Sequence, residues 1–115
     1  MSPVDVAREI ETVYLSGPMS GLPDNNWPAF KQATMDLRSA GFTVISPHET
    51  IQTAEGAAWT DCLRADIAAM LEAEAIILLP GWPKSRGARL ELHIALALEM
   101  PAYYYTNGHI VRFMP

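Results

Sequence analysis

At 115 residues, half of them hydrophobic, the chain is long enough for one packed core, too short for two, and too apolar for disorder. A formal net charge of -5, with eight scattered basic residues and no basic stripe, argues against a nucleic-acid partner. The single cysteine, Cys62, excludes an internal disulfide and fits a reducing cytoplasm.

The opening "MSPVDVAREIETV" lacks the long apolar core of a signal peptide. Its first part, residues 1–11, is expected to be a peripheral segment of one domain spanning 1–115. "TVYLSG" follows as a short apolar strand ending in a Ser-Gly-Pro turn, and "GLPDNN" reads as a loop. "WPAFKQATMDLRSAG" has the helical stripe Phe30, Ala33, Leu37 and Ala40, with Asn26 as its expected N-cap, Pro28 in the first turn and Gly41 as its stop. "FTVIS" is a second strand closed by Pro47, and "TIQTAEGAA" (50–58) reads as loop. "WTDCLRADIAAMLEA" is a second helix. "AIILLP" is a continuous apolar run, as a central parallel strand requires. A third helix opens near Ser85, Pro101 introduces the strand "AYYYT", and "HIVRF" adds a short edge strand. No run approaches the ~20 residues of a membrane span, so no membrane partner is expected. His48, His93, His109 and Cys62 lack metal-ligand spacing, so no metal site is expected either.

Alternation of strands and helices predicts an α/β domain: a parallel sheet of four to five strands with helices on both faces. Right-handed crossovers and short connections favour a flavodoxin- or Rossmann-like arrangement. In such sheets ligands bind beyond the carboxyl ends of the strands. That edge gathers "SGPMSG", "SPHE" and "PGWPKSRG", with Gly17, Gly21, Gly81 and Gly87 available for tight turns or close ligand approach.

Two helices each carry one carboxylate within an otherwise apolar stripe. On the third helix the stripe is Gly87, Ala88, Glu91, Ile94, Ala95 and Leu98; on the second it is Trp59, Cys62, Leu63, Asp66, Ala69, Met70 and Ala73. A helix that only had to pack would put an apolar residue there, because burying a charge without partners is expensive. One such acid could be a core residue satisfied by a backbone amide; two on neighbouring helices favour function. Paired carboxylates in a partly buried cleft can divide acid and nucleophile roles, as in glycoside cleavage. Ser85 is a good N-cap, and the amides of Arg86, Gly87 and Ala88 at that helix mouth would suit a phosphate. An ordinary cap is the competing reading. Glu91 lies six residues on, so a phosphate at the mouth would leave a sugar close to the carboxylate.

The segments "VYLSGPMSG", "RADI" and "AEAIILLPGWPKSRGARLELHIALA", with the apolar strand after them, resemble the nucleoside 2-deoxyribosyltransferase superfamily over residues 12–105. The likeness extends to its small phage-associated branch and to the 2'-deoxynucleoside 5'-phosphate N-hydrolases. The resemblance implies cleavage of an N-glycosidic bond, by hydrolysis or base exchange, without a cofactor. It implies Glu91 as the nucleophile at the anomeric carbon, Asp66 at the base or sugar, and Tyr14 positioning the glutamate. It implies substrate contacts at Ser16, Gly17, Pro18, Met19, Ser85, Arg86 and Gly87. Transferases acting on free nucleosides carry an aspartate where this chain has Ser85; the monophosphate hydrolases carry serine, which tilts the expected substrate towards a nucleotide. Pro18 stands where those hydrolases tend to have serine. The short tail offers Asn107 as the counterpart of an asparagine that family members lend to a neighbouring subunit, and a homodimer or higher homo-oligomer is expected. The rivals are a non-catalytic module that binds or sequesters a nucleotide, and an accessory phage protein with a vestigial pocket. The expected location is the cytoplasm, that of the host for a phage protein.

Overall fold

The computed structural model describes residues 10–50 and 58–114. Most of the segment expected to be peripheral (1–11), and most of the loop expected over 50–58, lie outside them. In chain order the elements are β1 (Thr12–Ser16), α1 (Trp27–Ser39), β2 (Thr43–Ile45), a single helical turn α2 (Pro47–Thr50), α3 (Trp59–Met70), β3 (Ala75–Leu78), α4 (Arg86–Ala97), β4 (Ala102–Thr106) and β5 (His109–Arg112). They build one five-stranded sheet in the order β2-β1-β3-β4-β5. The first four strands are parallel, and β5 returns antiparallel to β4. This is the expected flavodoxin-like arrangement with a hairpin added at one edge. Thr106 pairs with His109, leaving Asn107 and Gly108 as a two-residue turn. Both have positive φ (+48° and +81°), which the right-handed twist of a tight hairpin demands.

Side-chain alternation along each strand sorts residues between two cores. On one face Val13, Leu15, Ala75, Ile77 and Leu79 pack with Phe30, Ala33 and Leu37 of α1. On the other, Tyr14, Ile76 and Leu78 meet Met70 of α3 and Leu92 and Ala95 of α4. Every residue of β3 is buried, which explains its unbroken apolar run.

Helix ends follow local chemistry, with corrections to the sequence reading. Gly41 (φ +102°) closes α1 in a Schellman motif: its amide donates to Arg38 O at 3.0 Å and that of Phe42 to Leu37 O at 3.1 Å. The same geometry ends α4, where the amide of Met100 donates to Ala95 O at 2.8 Å, but the left-handed position is held by Glu99 (φ +59°). Asn26 does not cap α1. It is itself left-handed, and its Nδ2 donates to Pro18 O at 2.9 Å, tying the β1–α1 loop to itself. On α4 the buried arc is Ala88, Glu91, Leu92 and Ala95, whereas Leu98 is 56% exposed beyond the last turn. Residues 47–50, read only as the end of a strand and the start of a loop, form the turn α2. Among the described residues no helix is long and apolar enough to cross a membrane.

Candidate active site

Residues 14 and 16 of β1 share one face of the sheet, the face that α3 and α4 cover. There they meet Glu91, which α4 projects inward. The Tyr14 hydroxyl donates to Glu91 Oε2 at 3.0 Å, and Ser16 Oγ donates to Glu91 Oε1 at 2.6 Å. Each carboxylate oxygen therefore has its own donor, and the head group is fixed in plane by a strand it does not belong to. Glu91 is 3% exposed and Asp66, from α3, 4%. Asp66 Oδ1 has no hydrogen-bond partner among the described residues although it is buried. An unpaired buried oxygen costs roughly 1–3 kcal/mol, so its persistence calls for an explanation.

Burial and mutual repulsion set the electrostatics. Loss of water pushes the Glu91 carboxyl up to about 7, opposed by the hydrogen bonds from Ser16 and Tyr14, which favour the charged form. Burial also raises Asp66 to about 7, and the neighbouring Glu91 charge adds to it. Tyr14 is raised well above the ordinary phenol range by burial, then by both carboxylates, so it remains a protonated donor. Two carboxyl groups that titrate near neutrality share one cleft.

That cleft, of about 360 Å³, opens beyond the carboxyl ends of the strands, the edge singled out from the sequence. Asp66, Glu91, Gly17, Pro18, Met19, Ser85, Arg86 and Gly87 all line it. Tyr14 and Ser16 are buried behind Glu91, so Ser16 reaches the cleft through the carboxylate it holds. Gly17 has a packing reason for being glycine: a Cβ there would stand 2.8 Å from Leu79 Cβ. Ser85 caps α4 by accepting the amide of Ala88 at 3.1 Å, which leaves its own hydroxyl hydrogen available. The amides of Arg86 and Gly87, in the first turn, precede any intrahelical acceptor. The Arg86 guanidinium lies 4.4 Å over the Trp59 ring, a cation–π contact across the mouth. Asn107 sits in the β4–β5 turn.

Lining residues that the sequence reading did not assign to a site are Ser20, Asn25, Trp27, Trp59, Cys62 and Leu63; Ala88 also lines the cleft, but its amide is taken by Ser85 Oγ. Those of α3 lay on its Asp66 stripe and could have been found there. Asn25 and Trp27 reach the cleft only because the β1–α1 loop folds back. Of "SPHE", His48 hydrogen-bonds Ser46 and stands against Trp27, with ring centroids 6.2 Å apart.

The chain belongs to the domain family of unknown function DUF4406, whose model matches residues 11–104. No curated protein matches it in sequence. Among solved structures it is similar to the 2-deoxyribosyltransferase of the psychrotolerant bacterium Bacillus psychrosaccharolyticus. That likeness has a TM-score of 0.67 at 16% identity and covers 90% of this chain and 99% of that one. It is also similar to BlsM, with a TM-score of 0.62 at 20% identity, over 80% of this chain and 62% of the other. These likenesses are of fold: a Rossmann-like domain shared with deoxyribosyltransferases.

Proposed function

We propose that the protein cleaves the N-glycosidic bond of a 2'-deoxynucleoside 5'-monophosphate or deoxynucleoside. The observation that carries this reading is the buried Glu91 carboxylate, held at both oxygens and facing a second buried acid across one cleft. Glu91 attacks C1′ of the sugar. The C1′–N bond breaks, its electron pair leaves with the base, and Asp66, kept protonated near neutrality, supplies the proton. Water, or a second base, then attacks C1′ and releases Glu91; the first outcome is hydrolysis, the second base exchange. Tyr14 and Ser16 are positioning residues that hold the carboxylate and spread its charge. Retained ground-state hydrogen bonds weaken a nucleophile slightly, but fixing its line of attack contributes more. The orphaned Asp66 oxygen supports the reading as well, since a bound substrate with an N–H or O–H would satisfy it.

The 5′-phosphate is placed at the start of α4, by the Ser85 hydroxyl and the amides of Arg86 and Gly87. As a second part of the proposal, the active unit is a homodimer or higher homo-oligomer. The deciding experiment is chromatographic detection of free base after incubation with deoxynucleosides and their monophosphates, with Glu91→Gln as control. Base release that survives in a folded Glu91→Gln protein would falsify the nucleophile. Nucleotide binding without any release would instead favour a sequestering module.

A further inference from the structure

The loop between β1 and α1 forms one wall of the cleft and carries backbone strain. Asp24, Asn25 and Asn26 are all left-handed, with φ of +52°, +54° and +62°. Left-handed backbone costs roughly 1–2 kcal/mol per residue, though Asn and Asp tolerate it better than most. A connection with no other duty would use glycine, as this chain does at Gly21 (φ +80°). Asn26 is explained by its hydrogen bond to Pro18 O. Asp24 is exposed and lies outside the cleft lining. Asn25 is exposed as well, but it lines the cleft, and its carboxamide has no hydrogen bond to any described residue.

Beside it, Trp27 also lines the cleft and is braced from two sides. Phe30 meets it edge-on at 5.7 Å, and His48 lies tilted at 6.2 Å. A supported flat ring next to an unused carboxamide presents a stacking surface and an adjacent donor–acceptor pair. That combination matches a nucleobase, whose faces stack and whose edges pair with Asn. A phosphate would leave the ring face idle.

We propose that Asn25 is the specificity-determining residue that reads the edge of a nucleobase lying against Trp27, and that the left-handed loop holds its carboxamide there. This rests on the N-glycosidic reading of the same cleft. Two variants separate the side chain from the turn. Asn25→Gly keeps, and eases, the left-handed backbone while deleting the amide; Asn25→Asp keeps the size and makes it acceptor-only. Specificity constants for base release from the four common deoxynucleoside monophosphates are measured for each, with nucleotide affinity followed by tryptophan fluorescence. Asn25→Gly should reduce the wild-type preference among bases by about five- to a hundredfold, the worth of a bidentate base contact, without loss of stability to denaturant. Asn25→Asp should move preference towards bases bearing an exocyclic amino group and away from thymine.

A wild type indifferent to the base, or variants whose base ratios stay within about twofold of wild type, would overturn the assignment and leave Asn25 a turn former. A wild type that binds nucleotides without releasing base would end the N-glycosidic reading alone. Asn25 would then stand or fall on whether Asn25→Gly flattens the base dependence of binding. A wild type that neither binds nor cleaves removes both.

Discussion

The two faces of β1 differ in what they bury. Val13 and Leu15 point into the α1 core, where the neighbouring polar side chain, Thr34, is satisfied within its own helix by Phe30 O at 2.7 Å. Tyr14 and Ser16, interleaved with them, point into a cluster of hydroxyls and acids that includes an unsatisfied oxygen. Four consecutive residues thus serve apolar packing on one side and a buried polar cluster on the other. A fold needs only the first; the second adds desolvated charge that packing alone would not select.

The sharpest way to break the contrast is Glu91→Gln, which on the proposed mechanism should lower base release by at least about a thousandfold while the fold persists. Glu91→Ala is a less clean test. It removes a buried charge but orphans the Tyr14 and Ser16 hydroxyls, at roughly 1–3 kcal/mol each, so it should be no more stable than Glu91→Gln in a denaturant titration. On the opposite face, Phe30→Ala should cost about 3–5 kcal/mol of stability by calorimetry, a larger loss than any substitution of Ser16.

Acidity sharpens the comparison next. Asp66 and Glu91 each hold a proton up to about 7 in the folded chain, well above their ordinary carboxyl values of 3.8 and 4.5. Between those limits the folded state binds more protons than the unfolded one, so stability should fall as pH rises from about 4.5 through 7, by on the order of a few kcal/mol. Glu91→Gln should flatten that slope. Activity should follow a narrow bell near neutrality, needing one carboxyl ionised and the other protonated, with apparent values that belong to the pair. A rate independent of pH between 5 and 9 would contradict the acid–nucleophile division.

The smallest effect falls at the helix mouth. Ser85→Ala should lower stability by about 1 kcal/mol, because its oxygen caps Ala88. It should also reduce the preference for monophosphate over nucleoside by about one to two decades, the loss of a charge-assisted contact. Ser85→Asp keeps a cap yet repels phosphate. Equal losses on both substrates in these variants would leave Ser85 a cap alone.

Much of this was legible in the sequence. The isolated carboxylates at 66 and 91 stood out against helical stripes; alternation of elements indicated a parallel α/β sheet, and the handedness of crossovers, not the strands themselves, favoured the flavodoxin-like order observed. Ser16 also had a signal: in a buried strand it shares parity with Tyr14, so the two hydroxyls had to face the same way. The direction of the α4 stripe was harder to read. Leu90, Leu92, Ile94, Leu96 and Leu98 surround the helix, and only contact with the sheet decides that Leu92 goes inside and Leu98 outside. The positions of Asn25 and Asn26 depend on a loop folding back onto Pro18, a tertiary event with no periodicity to announce it.

The register of β1 with β3 has a kinetic meaning. Ser16 pairs with Leu78, so the strand that presents both hydroxyls must find a partner about sixty residues away along the chain. Such distant contacts form late, after helices whose bonds are local. On dilution from denaturant, helical signal should therefore return before Tyr14 and Ser16 reach Glu91, and any catalytic activity should trail it as a clock for sheet closure.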